Sequence, residues 1–328
     1  MDVVDQGLAI LVIGFQRVHP LEEILATCLR ESSSIIYVSI DGGTPESEFR
    51  VSETRRLIQQ LSSLNPGRIK FRFFTENCGS AVNVISSVDW LFSENEFGVI
   101  LEDDCIPNLD FFEYAVHALQ FIAKDPDIWF FSGYRPRIKA LELASYGLSQ
   151  LPLNWGWGTS STKWEEVRRL LLLQESENLL CNFFRGASAV YWNVGFRRSL
   201  LGWVDTWDTA IAYLMLKNNK FTLIPNVNLI RNVGNDSFAS NTKGDSAFLN
   251  SQVSNWDKSD ITICAKETGN INRGLNREMI GIKRRHILTP IVRFQMQRLF
   301  KSHKSLGELV LRLDQVSNHQ ASMRSGTE

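Results

Sequence analysis

The chain has 328 residues, of which 44% are apolar and 22% charged, and its formal net charge is -1. That much apolar sequence fills the core of one large or two ordinary domains and excludes a disordered chain, and the near-neutral balance argues against a nucleic-acid binder. The five cysteines form no CxxC pair, so neither a zinc site nor a disulfide framework is indicated, and their odd number suits a reducing compartment.

The first six residues carry Asp2 and Asp5 and no cation, unlike a secretory leader, and the apolar run from Leu8 to Phe15 has the length of a strand. A cytoplasmic protein is the expectation. After this first strand the pattern predicts a helix over 20–30, then a strand over 35–40 that stops at Asp41-Gly42-Gly43. An amphipathic helix over 44–61 ends before Pro66-Gly67, and a strand over 69–74 leads to a helix over 80–92. A fourth strand, 97–101, meets Glu102-Asp103-Asp104. The helix over 110–125 begins with Asp110 and Glu113 at capping-box spacing, and a fifth strand covers 128–133. Strands alternating with helices at this spacing predict an α/β fold, with a mostly parallel, Rossmann-like sheet flanked by helices.

The second half is less regular. A tryptophan-rich stretch (Trp155, Trp157, Trp164) precedes a helix ending near Leu173, and a helix over 204–219 precedes a strand over 220–224. Residues 235–255 are polar and loop-like. From Arg273 to Lys304 nine cations face the single acid Glu278, which predicts a basic helical extension. The expected division is 1–135, 136–255, and 256–328, the extension.

Ligands of open parallel sheets sit beyond the carboxyl ends of the strands. Three carboxylates leave such an end together at Glu102, Asp103 and Asp104. They suit a hard divalent cation that bridges to phosphates, or else an Asx-turn into the next helix. Asp41 would accept hydrogen bonds from a base or ribose, its glycines allowing close approach, or would merely turn the chain. Arg17 would neutralise phosphate, or lie on the surface. Trp207-Asp208 offers either a general base beside an aromatic platform or a helix-start carboxylate favoured by the macrodipole. Trp155-Gly156-Trp157-Gly158 offers sugar stacking or core anchors. The histidines have no ligand spacing, and no GxGxxG, P-loop or GxSxG elbow occurs.

The segments LVIGFQR, VSIDGG, ENCGSAVNVISSVDWLF, VILEDDCIPNLDFFEYAVHAL and DPDIWFFSGYRP, in this order, resemble GT-A glycosyltransferases, in particular N-acetylglucosaminyltransferase I-like enzymes and related bacterial nucleotide-diphospho-sugar transferases. LNWGWGTSSTKWEEV and VDTWDTAIAYLMLKNNKFTLIPNVNLIRNVG extend the resemblance to about residues 8–245. It implies a DxD-type motif in which Asp104 holds Mn²⁺ or Mg²⁺ on the nucleotide diphosphate, while Asp103 and Glu102 face ribose and donor sugar. It implies that Arg17 lies against the nucleotide, Asp41 contacts the base, and Asn77 and Gly79 line the donor pocket. Asp208 becomes the catalytic base, and Trp157 and Trp207 shape the acceptor site. The implied activity is inverting transfer from a UDP-sugar, UDP-GlcNAc among them, to a glycan or lipid-linked acceptor. Relatives often carry Asp-Ala-Thr-His-Thr where this chain reads Phe238-Ala239-Ser240-Asn241-Thr242, so Asn241 stands in place of a histidine.

Two other readings share the fold. A sugar-nucleotide nucleotidyltransferase would want a glycine-rich basic loop after its first strand, where this chain has only Gly14. A non-catalytic nucleotide- or carbohydrate-binding module would keep the pocket without turnover. The basic stretch Arg273–Lys304 would contact the cytoplasmic membrane face or cap the domain.

Overall fold

The computed structural model describes residues 8–135, 146–173, 186–234, 253–256 and 263–264. The Asn241 stretch and the basic segment Arg273–Lys304 lie outside them.

Strands β1 (Ala9–Gly14), β2 (Ile36–Ile40), β3 (Ile69–Phe73) and β4 (Phe97–Glu102) alternate with helices α1 (Val18–Glu31), α2 (Glu48–Leu64) and α3 (Ser80–Glu94). β1 pairs in parallel with β2 and β4, and β2 with β3, giving the spatial order β3-β2-β1-β4. Helix α4 (Phe111–Lys124) follows the short β5 (Cys105–Pro107) and leads to β6 (Ile128–Ser132). Asp110, expected to cap α4, makes no side-chain cap; its Oδ2 accepts the backbone N–H of Trp256 at 2.8 Å.

The remaining strands are β7 (Tyr146–Ser149), β8 (Trp157–Ser160), β9 (Phe221–Pro225), β10 (Ile230–Asn232) and β11 (Ile263–Cys264), with helices α5 (Ser161–Leu173), α6 (Gly186–Leu200) and α7 (Asp208–Lys217). Nine strands form one sheet in the order β11-β7-β9-β6-β8-β4-β1-β2-β3. The sheet is mostly parallel, but β8 enters antiparallel between β4 and β6. The glycine of Trp157-Gly158 permits this: a Cβ on Gly158 would lie 2.3 Å from the Phe131 ring and 2.5 Å from the Gly98 carbonyl oxygen. The sheet contains strands from both sides of residue 135. Trp256 packs against Tyr114 of α4 at 5.6 Å and Tyr146 of β7 at 6.1 Å ring to ring, and β11 pairs with β7.

Both faces of the sheet are covered. Ile10, Val12, Val99 and Leu101 pack under α1, α2 and α4, while Leu11, Ile13 and Ile100 pack under α3, α5, α6 and α7. Strands buried on both faces read as continuous apolar runs, which is why β1 and β4 stand out in the sequence. No helix among the described residues is long and apolar enough to cross a membrane.

Candidate active site

The parallel register puts Gly14 beside Ile40 and Ile13 beside Glu102, so β1, β2 and β4 end on one rim. The strand order reverses between β1 and β4, and the crevice at such a reversal is where ligands of open α/β sheets bind. Arg17 comes off β1 into this crevice and Glu102-Asp103-Asp104 off β4. Arg17 Nη1 donates to Asp103 Oδ1 at 2.9 Å and lies 3.5 Å from Asp104 Oδ2. The other Asp103 oxygen accepts the N–H of Phe15 at 2.9 Å, which ties the turn after β1 to the end of β4. Arg17 and the β4 carboxylates therefore lie together on this rim.

Burial pushes the Asp103 carboxyl up and Asp104 adds to this, while Arg17 and the Phe15 N–H pull it down. Glu102 is raised well above the usual carboxylate range, first by burial, then by Asp104, Asp103 and Asp208. Its Oε1 is shut off from solvent and accepts no hydrogen bond among the described residues. Among the described residues, four carboxyl groups thus share one neighbourhood with the Arg17 guanidinium. That acidic excess, with a buried unpartnered oxygen, fits a divalent cation.

Asp104 is tethered by a short second sheet. β5 and β10 pair antiparallel, bringing Asn232 Nδ2 to 3.3 Å from Asp104 Oδ1, and the Val233 N–H donates to the Asp104 carbonyl at 2.9 Å. Among the described residues no group of three or more His, Cys, Asp or Glu side chains is arranged to hold a metal ion. Mg²⁺-type sites are often built with one or two carboxylates plus phosphate, a set to which Asp104 could contribute a carboxylate.

Asp41 is buried at the end of β2, and its own chain engages both of its oxygens. Oδ1 accepts the N–H groups of Gly42 and Cys78, at 2.8 and 2.9 Å, and the Cys78 thiol at 3.0 Å. Oδ2 accepts the Gly79 N–H at 3.1 Å and Asn77 Nδ2 at 3.3 Å. Asp41, Asn77 and Gly79 therefore form one cluster, in which the carboxylate holds the turn before α3. Gly42 makes its close approach to the backbone of Glu76 and Asn77, where a Cβ would come within 2.1 Å of the Glu76 carbonyl carbon.

Asp208 begins α7. Its Oδ1 accepts the Thr209 N–H at 2.7 Å, the Thr209 hydroxyl at 3.2 Å and the Thr206 hydroxyl, whereas Oδ2 forms no hydrogen bond among the described residues. Its charge bears on Glu102, so α7 and β4 face the same space. Trp157 and Trp207 meet ring to ring at 5.2 Å and are 2% and 4% exposed. They are core side chains beneath the site, lining a cavity of about 10 Å³ with Phe130, Pro152, Leu153, Asn154 and Ile211.

Three residues carry no local signal that marks them in the sequence. Asn232 and Cys105 meet Asp104, and Asp205 accepts two amides at the start of α3. Helix α6 is likewise absent from the predicted elements, although Trp192, Phe196 and Leu200 sit at helical spacing and pack in the core.

No protein-family model and no curated protein matches this chain. Among solved structures it is similar to 4-diphosphocytidyl-2C-methyl-D-erythritolsynthase from Anaerococcus prevotii, at 9% identity over 66% of this chain and 98% of that one, TM-score 0.33. It is also similar to HddC from Yersinia pseudotuberculosis, at 11% identity over 49% of this chain and 79% of that one, TM-score 0.31. At these TM-scores the likenesses add nothing to the architecture read from the strands themselves.

Proposed function

We propose that the protein is an inverting GT-A-type glycosyltransferase that moves a sugar from a nucleotide-diphosphate sugar, with UDP-sugars, UDP-GlcNAc among them, the first donors to test, to a hydroxyl of a glycan or lipid-linked acceptor. The observation that carries this reading is the meeting of Arg17 with Asp103 and Asp104 at the β1–β4 crevice, with Asp208 near enough for its charge to raise Glu102 and with one Asp208 oxygen unengaged among the described residues. Asp104 would hold Mn²⁺ or Mg²⁺ on the donor, where it neutralises charge on the leaving diphosphate. Arg17 shares that task from the β1 side. Asn77 and Gly79, held by Asp41, line the nucleotide side, and Glu102 and Asp103 face ribose and sugar. Asp208 Oδ2 takes the proton of the acceptor hydroxyl as that oxygen attacks the anomeric carbon. The carbon–oxygen bond to the diphosphate breaks on the opposite face, and configuration inverts. Trp207 and Trp157 shape the acceptor side from below by fixing the start of α7.

The test is turnover of a panel of nucleotide sugars with and without Mn²⁺, with free UDP as the product followed. Release of pyrophosphate from a nucleoside triphosphate and a sugar 1-phosphate, with no UDP formed, would establish the nucleotidyltransferase reading instead. Binding of UDP-sugar without either reaction would leave a binding module. The basic segment Arg273–Lys304 we assign to an anionic membrane surface, which is checked by co-sedimentation of the full chain with anionic and neutral liposomes across a salt range.

A further inference from the structure

Helix α3 begins at a residue that offers its N–H groups nothing. Its N-cap is Gly79, at φ +85°, and its first turn carries no acid. The N–H groups of Ser80 and Ala81 would be orphans at the rim of the site. They are taken by a residue more than a hundred positions away: Asp205 Oδ2 accepts the Ser80 N–H at 2.7 Å and Oδ1 the Ala81 N–H at 2.8 Å. The fit is close, since a Cβ on Gly79 would come within 2.8 Å of Asp205 Oδ2. Gly79 thus serves the positive φ and the approach of the carboxylate together.

Asp205 lies in the turn between α6 and α7, three residues before Asp208. The Thr206 N–H bonds the Val204 carbonyl at 3.0 Å, and the Ser199 hydroxyl bonds the Thr206 carbonyl at 2.9 Å. The Thr206 hydroxyl in turn donates to Asp208 Oδ1. From the opposite side Asp41 holds the Gly79 N–H. A continuous set of contacts therefore runs from the end of β2, through the start of α3, to Asp208.

We infer that Asp205 is a positioning residue: its two-amide grip on α3 docks the α6–α7 turn against the donor-side loop and so sets where Asp208 stands over the β4 carboxylates. The inference rests on Asp208 being the base. It names what holds that base, a carboxylate that itself touches no reacting atom. Displacing a reacting group by about an ångström costs on the order of 10²-fold in rate.

The experiment uses the full chain with the variants Asp205→Ala, Asp205→Asn, Asp208→Asn and the double variant Asp205→Ala/Asp208→Asn. D205A is expected to lower kcat by roughly 10–10²-fold, while Mn²⁺-dependent UDP affinity stays within about two-fold. D205N keeps one carbonyl oxygen for one amide and is expected to recover part of the loss; should D205A not fold, D205N carries the comparison. The double variant is expected to be no slower than D208N, because a residue acting through Asp208 has nothing further to lose. Additive losses in the double variant, or a D205A kcat within two-fold of the parent, would overturn the inference.

A second readout needs no turnover. In D205A the amides of Ser80–Ala81 and of residues 204–208 are expected to exchange hydrogen together, about five-fold faster, with α4 unchanged. Unchanged exchange at 204–208 would refute the docking. If the parent protein turns over no nucleotide sugar at all, the glycosyltransferase reading fails while exchange still decides whether Asp205 docks the turn.

Discussion

The two sides of the candidate site are held by different means. On the donor side, the turns after β1 and β2 and the start of α3 are each fastened by a carboxylate accepting backbone N–H groups: Asp103 from Phe15, Asp41 from Gly42, Cys78 and Gly79, Asp205 from Ser80 and Ala81. On the proposed acceptor side, α7 is seated by Trp207 against Trp157, which itself packs on Phe130 and Trp164. Rim turns lie at the edge of the core and cannot be fixed by burial, so carboxylates fix them, buried ones at Asp41 and Asp103 and an exposed one at Asp205. The start of α7 lies over the core and is fixed by packing. Donor binding should therefore respond to substitution of Asp41 and Asp103, which hold the turns after β2 and β1, and global stability to aromatic substitutions.

The largest expected effect is at the crevice itself. Asp104→Ala should abolish turnover and Mn²⁺-dependent UDP binding while the protein stays folded, since one of several crowded carboxylates is removed. Calorimetric titration showing undiminished Mn²⁺-dependent UDP affinity would sink the metal assignment. Next, Asp208→Asn should lower transfer by about 10²–10⁴-fold and leave UDP binding in place, because an amide of nearly the same size cannot take the proton. A variant with normal transfer and lost donor binding would move Asp208 to donor recognition.

Two substitutions set the aromatic side directly against the polar one. Trp207→Ala removes a buried indole and should cost about 3–5 kcal/mol in denaturant unfolding. A loss below that of an ordinary surface substitution would show that α7 is seated some other way. The smallest effect is expected at Asp41→Asn, about 1–3 kcal/mol, because an amide cannot accept every N–H now bound. Its sharper signature is weakened UDP binding through a loosened Asn77–Gly79 turn. If Asp41→Asn destabilised the fold as much as Trp207→Ala, with UDP affinity intact, the contrast between the two sides would not hold.

The half before residue 135 is legible in the sequence because its elements follow each other in space as they do along the chain. Each βα unit buries a short apolar run, and the run ends where the strand leaves the core, so the alternation of runs alone puts Arg17, Asp41 and Asp103 on one rim. The second half is less legible. Trp155-Gly156-Trp157-Gly158 has the composition of an aromatic surface, but Trp157 and Gly158 belong to a buried antiparallel strand, and the glycine is there because Phe131 and Gly98 leave no room for a Cβ.

What the sequence determined by itself was therefore local: the alternation of buried strands and amphipathic helices, and the chemical character of the residues at the strand ends. What only the tertiary structure decided was which distant groups complete them. Asn232 reaches Asp104 because β10 pairs with β5, and Asp205 reaches the amides of α3 from another part of the chain. The physical reason is that a glycine at a helix start and a carboxylate at a strand end announce unsatisfied hydrogen-bonding groups, but hydrogen bonds form by proximity in space, and nothing in the local pattern states which segment will arrive there.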